Sequence, residues 1–167
     1  YYSVHNKAFT LPTDVALVSF LLFRDRDAAN AFRTLVLKGT PWAQAVRQTM
    51  ADPQQSVLMV ARMDSAYYSQ RTLLPVELWR VASASTKPEP SFPVQTNEGS
   101  YILIVWKLDR QGQIANLAYV EQEIRSRLTI ERRRRALEGV IERLRSNHAV
   151  EFMVSDHADT SSTNSEK

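Results

Sequence analysis

Residues able to do covalent chemistry are few in this chain and poorly spaced for it. There is no cysteine, which excludes disulfides, zinc–thiolate centres and a thiol nucleophile. The three histidines, His5, His148 and His157, lie towards the two ends. Serines and acids are plentiful, but no Gly-x-Ser-x-Gly elbow occurs and no histidine stands in the long middle to activate a serine, so hydrolase chemistry has little support. Asp52-Pro53 puts a carboxylate at a chain reversal, a pair that a turn alone explains. Arg132-Arg133-Arg134-Arg135 has the composition of a nucleic-acid or phospholipid contact. On a helix, however, four consecutive arginines point around the whole circumference. Glu121, Glu123, Glu131, Glu138 and Glu142 lie at pairing distance along it, which predicts a solvated, salt-bridged helix and no nucleic-acid partner. Trp42, Trp79 and Trp106 can seal a core or offer a ligand an aromatic wall.

The elements that must hold these residues come from an ordinary globular composition. Of 167 residues, 44% are hydrophobic and 23% charged, with a net charge of +3, a mild basicity that by itself says little about partners. The length allows one domain with a real core, or a small domain plus a helical appendage. The longest apolar run, Val15–Phe23, is strand-sized and far from the ~20 residues of a membrane span. The chain opens on Tyr1 with no signal peptide, as expected of an excised or mature portion. No internal repeat is found.

Residues 1–9 read as the last turns of a helix, broken at Leu11-Pro12. Val15–Phe23, apolar almost throughout, predicts a strand buried on both faces. A helix follows, capped by Asp25 or Asp27, with Ala28, Phe32, Leu35 and Val36 on one face and Gly39 as its stop. Thr40-Pro41 predicts an N-cap and first-turn proline for a second helix carrying Trp42, Ala45, Val46 and Met50. Residues 57–61 are compatible with strand or irregular structure. Residues 73–81 predict a short helix entered through Pro75, and 83–93, with three prolines, a loop. Residues 94–96 are placed to pair with a second apolar strand at 101–108 across an Asn97-Glu98-Gly99 turn. One long amphipathic helix is expected over 117–146, striped by Val120, Ile124, Leu128, Leu137, Val140, Ile141 and Leu144. A short closing strand at 148–152 and a disordered tail over the last dozen residues complete the chain. Strands and helices mix without regular alternation, so the fold class is α+β.

This order resembles that of the parvulin (PPIC-type) peptidyl-prolyl cis-trans isomerase family, in its SurA-like extracytoplasmic foldase form. Ser19-Phe20-Leu21-Leu22 resembles the family's Ser-His-Ile-Leu strand. Residues 28–39 with Thr40, Pro41 and Trp42 resemble its helix and Gly-x-x-Phe. Met50-Ala51-Asp52-Pro53 resembles the Ser-x-Asp-Pro loop, and 73–78 the Met/Leu-x-Pro-x-Phe helix. Pro93-Val94-Gln95-Thr96 and Gly99-Ser100-Tyr101-Ile102 resemble Pro-Val-x-Thr and Gly-Tyr-His-Ile. The resemblance covers roughly residues 1–153 and lies in the order of its motifs. The departures fall on the site. The family's two histidines are replaced by Phe20 and Tyr101, and the Gly-Gly-x-Leu/Met-Gly loop is missing, since no glycine occurs between Gly39 and Gly99.

The resemblance implies a parvulin-like small sheet with surrounding helices, followed by a long C-terminal helix. It divides the chain into the end of a linker helix (1–12), a parvulin-like domain (13–110), a long helix with its closing strand (116–153) and a disordered tail (154–167). It implies a bacterial folding factor, periplasmic or cell-envelope and near a membrane, that needs no metal or organic cofactor. Asp52 and Tyr101 become the candidates for catalysis, and Phe20, Leu22, Leu73 and Leu78 those for contacting extended, proline-containing polypeptide. With both histidines replaced, catalysis is expected to be weak or absent. The alternatives are a genuine weak isomerase with a non-histidine site, or a structural or oligomerisation module whose groove is filled. The long helix cannot bury its stripe against a small domain alone. It calls for a missing N-terminal part of the same protein, a second copy, or a client.

Overall fold

The computed structural model describes residues 1–147; the closing strand expected at 148–152, His157 and the tail at 154–167 lie outside the described residues. Four strands form one antiparallel sheet in the order β2-β1-β4-β3, from β1 (Val15–Phe23), β2 (Met59–Ser69), β3 (Val94–Thr96) and β4 (Gly99–Asp109). The two strongly apolar runs of the sequence are the central strands. The mixture of this sheet with helices makes the protein α+β, as the element order predicts.

Central position explains why β1 and β4 lack polar–apolar alternation: helices cover both of their faces. One face carries Leu21, Phe23, Ile102 and Ile104. It is covered by α2 (Arg26–Leu37), through Ala28, Ala29 and Phe32, and by α3 (Trp42–Ala51), through Trp42, Ala45 and Val46. The opposite face carries Ala16, Val18, Leu22, Tyr101, Leu103 and Val105, and is covered by α5 (Val76–Ala84) through Leu78, Trp79 and Ala82. Leu21, Phe23, Leu78 and Ile102 are wholly buried, each contributing about 1.5–3 kcal/mol of transfer free energy.

Local signals start and stop these helices. Asp25 caps α2 by accepting the Ala28 N–H at 2.7 Å. Gly39, at φ +100°, ends its last turn in a conformation that side chains resist. Pro41, and not Thr40, holds the N-cap position of α3, which therefore starts at Trp42. Asp52 ends α3 and caps the single-turn α4 (Pro53–Ser56). The largest departure from expectation is β2. The sequence reading stopped at residue 61, yet the strand runs on to Ser69. It is an edge strand with Val60 to Ser65 exposed, so its sequence never had to look apolar.

Before β1, residues Tyr2–His5 form α1, followed by a 3₁₀ turn at Asn6–Phe9. This lead-in is tied to the segment after β4. Ala115 donates to the Phe9 carbonyl (2.8 Å), Leu11 to that of Gln113 (2.8 Å) and Gly112 to that of Leu11 (2.9 Å). Asp14 accepts hydrogen bonds from the Gln111 N–H (2.8 Å) and the Arg110 guanidinium (2.7 Å), and these two hold its carboxyl below the ordinary carboxylate range.

The chain divides into two units, one of Tyr1–Glu121 and one from Gln122 onwards. The second is the body of α6 (Leu117–Asn147). Several of its arginines are partnered within the helix at the spacing from the glutamates that the sequence predicts: Arg127 with Glu123, Arg134 with Glu138 and Arg135 with Glu131. Among the described residues no helix is long and apolar enough to cross a membrane.

Gly99 is the tightest point of the sheet. Its φ is +140°, and a Cβ there would lie 2.2 Å from the Phe23 carbonyl oxygen; at Gly39 a Cβ meets nothing within 4 Å. Gly39→Ala is therefore expected to cost only backbone strain, about 1–2 kcal/mol. Gly99→Ala must also push β4 away from β1 and should cost about 3 kcal/mol or more. Urea denaturation of the two variants checks this, and equal losses would contradict the backbone clash.

Candidate functional site

The α5-covered face of the sheet collects most of the residues that the sequence singles out. In the β1–β4 register Leu22 lies opposite Tyr101 and Phe20 opposite Leu103, which makes Phe20 and Tyr101 diagonal neighbours within aromatic reach. Their rings meet edge-on, 5.8 Å between centroids and at 64°, a geometry that ring quadrupoles favour. Tyr68 of β2 extends the cluster, with its ring 6.1 Å from that of Phe20. Phe20 and Tyr68 remain partly exposed, whereas Tyr101 is 5% exposed.

The Tyr101 hydroxyl is committed. It donates to Glu98 Oε2 at 2.5 Å, and the tight β3–β4 hairpin supplies that carboxylate. Thr96 pairs with Gly99 across Asn97-Glu98, and the Thr96 hydroxyl accepts the Glu98 N–H at 3.2 Å. Burial of the phenol, followed by the hydrogen bond to Glu98 and its negative charge, pushes the Tyr101 hydroxyl up to about 12. Near neutrality Tyr101 is thus an uncharged donor already in use.

Leu22, Leu73 and Leu78 are 4%, 1% and 0% exposed. They pack in one cluster with Tyr101 and form the buried floor of this face. Phe20 is the expected contact residue that keeps access to solvent. Asp52 is not in the cluster: its exposed carboxylate accepts the Gln54 N–H at 2.9 Å and caps α4. The concavity on this face lies beside the aromatic pair, a cavity of about 540 Å³ walled by Val81, Ala84, Phe92, Pro93, Val94 and Leu103. Val81, Val94 and Leu103 belong to the same packed face as Tyr101. Phe92 is 73% exposed, its ring capped by the Arg33 guanidinium 3.9 Å from the centroid.

The sequence reading missed Glu98, Tyr68 and Phe92, and it did not place a groove along residues 81–94. The proline-rich character of 83–93 marked a loop, but nothing in it marked a wall. No group of three or more His, Cys, Asp or Glu side chains able to hold a metal ion lies among the described residues.

No protein-family model matches the chain, and no curated protein sequence matches it. Among solved structures the chain is similar to a SurA-like chaperone of Campylobacter jejuni, at 18% identity and a TM-score of 0.45 over 90% of this chain and 60% of that one. It is also similar to PrsA of Bacillus subtilis, at 16% identity and a TM-score of 0.45 over 90% and 56% of the two chains. The peptidylprolyl isomerase PrsA of Bacillus cereus gives 16% identity and a TM-score of 0.44 over 92% and 57%. The chain spans 56–60% of the lengths of these proteins.

The raised Tyr101 hydroxyl carries a pH dependence of definite sign. In the unfolded chain the phenol loses its proton near 10.0, in the folded protein near about 12. Between these values the folded state binds more protons, so this contribution to stability is complete below pH 10 and lost as pH rises towards 12. Tyr101→Phe should therefore lose less stability than the wild type on going from about pH 9 to about pH 11. Denaturant midpoints at the two pH values measure it, and parallel losses would refute the assignment.

Proposed function

We propose that this chain is the PPIC-type isomerase-like domain of a bacterial, extracytoplasmic folding factor, and that it binds extended, proline-containing polypeptide with weak or no catalysis. One observation carries the proposal. Phe20 and Tyr101, the residues standing where the resembled family has its two histidines, meet ring to ring on adjacent central strands, beside an open apolar groove. The ring of Phe20 and the wall of Val81, Phe92, Val94 and Leu103 suit an apolar, proline-bearing segment. Leu22, Leu73 and Leu78 support that wall from beneath. On this proposal the binding domain is 13–110, with 1–12 and 116–153 linking it to the remainder of a larger protein near the cell envelope.

Prolyl isomerisation breaks no covalent bond, and its barrier of about 18–20 kcal/mol is the resonance of the amide. A thousandfold acceleration needs about 4 kcal/mol of preferential binding to the twisted amide. Phe20 has no hydrogen-bonding group to offer, and the Tyr101 hydroxyl is held by Glu98. Any residual catalysis would fall to Tyr101, with Asp52 the other candidate.

A second proposal is favoured by a separate observation. Leu137, Val140, Ile141 and Leu144 of α6 are 61%, 43%, 39% and 56% exposed, at the i, i+3, i+4, i+7 spacing of a packing face. Such a stripe suits an oligomerisation or structural module, the groove being secondary.

A proline-peptide isomerisation assay and a binding titration on the same sample separate these. The expected result is binding at micromolar to millimolar Kd, weakened about tenfold by Phe20→Ala, with little acceleration. Phe20→His with Tyr101→His should raise isomerisation or alter peptide affinity. If the wild type neither binds nor accelerates and the double variant changes nothing, the groove proposal fails. Concentration-dependent dimerisation abolished by Leu137→Glu would then support the α6 proposal.

A further inference from the structure

On the other face of the sheet two irregularities coincide. β4 carries one extra residue, Trp106, where Leu17 pairs with Lys107 but Val18 with Val105. At the same level β2 carries an extra residue where Val18 pairs with Ala66 but Phe20 with Met63, leaving Asp64 and Ser65 opposite the single Ser19. Bulges re-aim side chains, and here two of them flank one residue of the central strand. Trp106 Nε1 donates to Ser19 Oγ at 2.8 Å, and Ser19 Oγ lies 3.2 Å from Ser65 Oγ. Ser19 is 2% exposed, so this hydroxyl is a buried anchor that fixes the indole. Trp106 as a residue is 41% exposed, so its ring offers a rigid apolar surface to solvent.

Above this floor is a cavity of about 580 Å³, walled by Trp42 of α3 and rimmed by Arg47, Arg62 and Asp64. Its charge is unbalanced. Arg62 reaches Asp64 only at 3.4 Å, and its other terminal nitrogen lies 3.2 Å from Met50 Sδ. Arg47 is exposed and makes no ion pair among the described residues. Two guanidinium groups thus face one carboxylate at the mouth of a pocket with a tryptophan floor. An anchored indole supplies contact area at little entropic cost, and guanidinium groups favour carboxylates.

We propose that this pocket is a second binding site, for an acidic polypeptide segment in which an apolar side chain covers Trp106 while a neighbouring Asp or Glu engages Arg47. It rests on the proposal that the domain binds extended polypeptide, and adds a site on the opposite face of the sheet from Phe20 and Tyr101. A client crossing the sheet edge would be held at two points, with the affinity gain of linked contacts.

The test uses the whole chain and three blocked pentapeptides: one leucine flanked by aspartates, the same with lysines, and a neutral proline-containing peptide. Calorimetry is expected to give binding of the aspartate peptide at least tenfold tighter than of the lysine peptide, weakening as salt rises. Arg47→Glu, an exposed change that leaves the core intact, should abolish that preference without affecting the neutral peptide. Trp106→Phe should weaken the aspartate peptide several-fold. Equal affinity for the two charged peptides, or an unchanged preference in Arg47→Glu, overturns the second site. If the neutral peptide binds and the aspartate peptide does not, the second site fails while the groove proposal stands. Failure of all three peptides overturns both.

Discussion

The pairing of β1 with β4 is the constraint on which the rest of the molecule depends. Both strands are covered on both faces over most of their length, and they meet so closely at one end that only glycine fits at position 99, against the Phe23 carbonyl. Two strands in this position must be apolar on every residue or satisfy each polar group internally. The helices follow from this: α2 and α3 are needed for one face and α5 for the other, and the edge strands β2 and β3 are left to meet solvent.

The few polar residues on the central pair are informative for that reason. Ser100 is 1% exposed and accepts the Gln95 side-chain amide at 2.9 Å, which locks the β3–β4 hairpin and with it Glu98. Ser19 is satisfied by Trp106 and Ser65 across both neighbouring strands. A buried hydroxyl costs about 1–3 kcal/mol if unpaired, so each serine fixes its partners in place. One sets up the hairpin that holds the Tyr101 hydroxyl, the other the indole on the opposite face.

What could be read in the sequence follows the same physics. β1, β4, α2, a cap at Asp25 or Asp27 and the stop at Gly39 were legible because burial and capping write directly into residue type. The second half of β2 was not, because Arg62, Asp64 and Ser65 on an exposed edge are free to look like loop. The bulges at Ser65 and Trp106 were not legible either, since register depends on partners far along the chain. The pairing of Phe20 with Tyr101 was anticipated only through family resemblance. Residue type could not say that Leu22, Leu73 and Leu78 are floor, or that Phe92 in the proline loop is wall, since leucine and phenylalanine serve either role.

On the proposed reading, an edge-on Phe–Tyr pair standing where the resembled family has two imidazoles leaves a narrow range of chemistry at that site. An imidazole can donate or accept in either tautomer. Phe20 does neither, and Tyr101 offers one proton that a carboxylate already holds in a buried setting, up to a pKa of about 12. Freeing that proton for a substrate requires breaking the bond to Glu98, whose exposed carboxylate water can then solvate, so the donor is engaged at rest but not locked. What remains is desolvation. A planar amide is more polar than a twisted one, so an apolar wall such as Phe92, Val94 and Leu103 penalises the ground state slightly more than the transition state. One or two kcal/mol from that source corresponds to roughly a five- to thirtyfold rate effect. That is far below what a dedicated catalyst needs, whereas the proposed holding of an extended chain asks only for apolar contact.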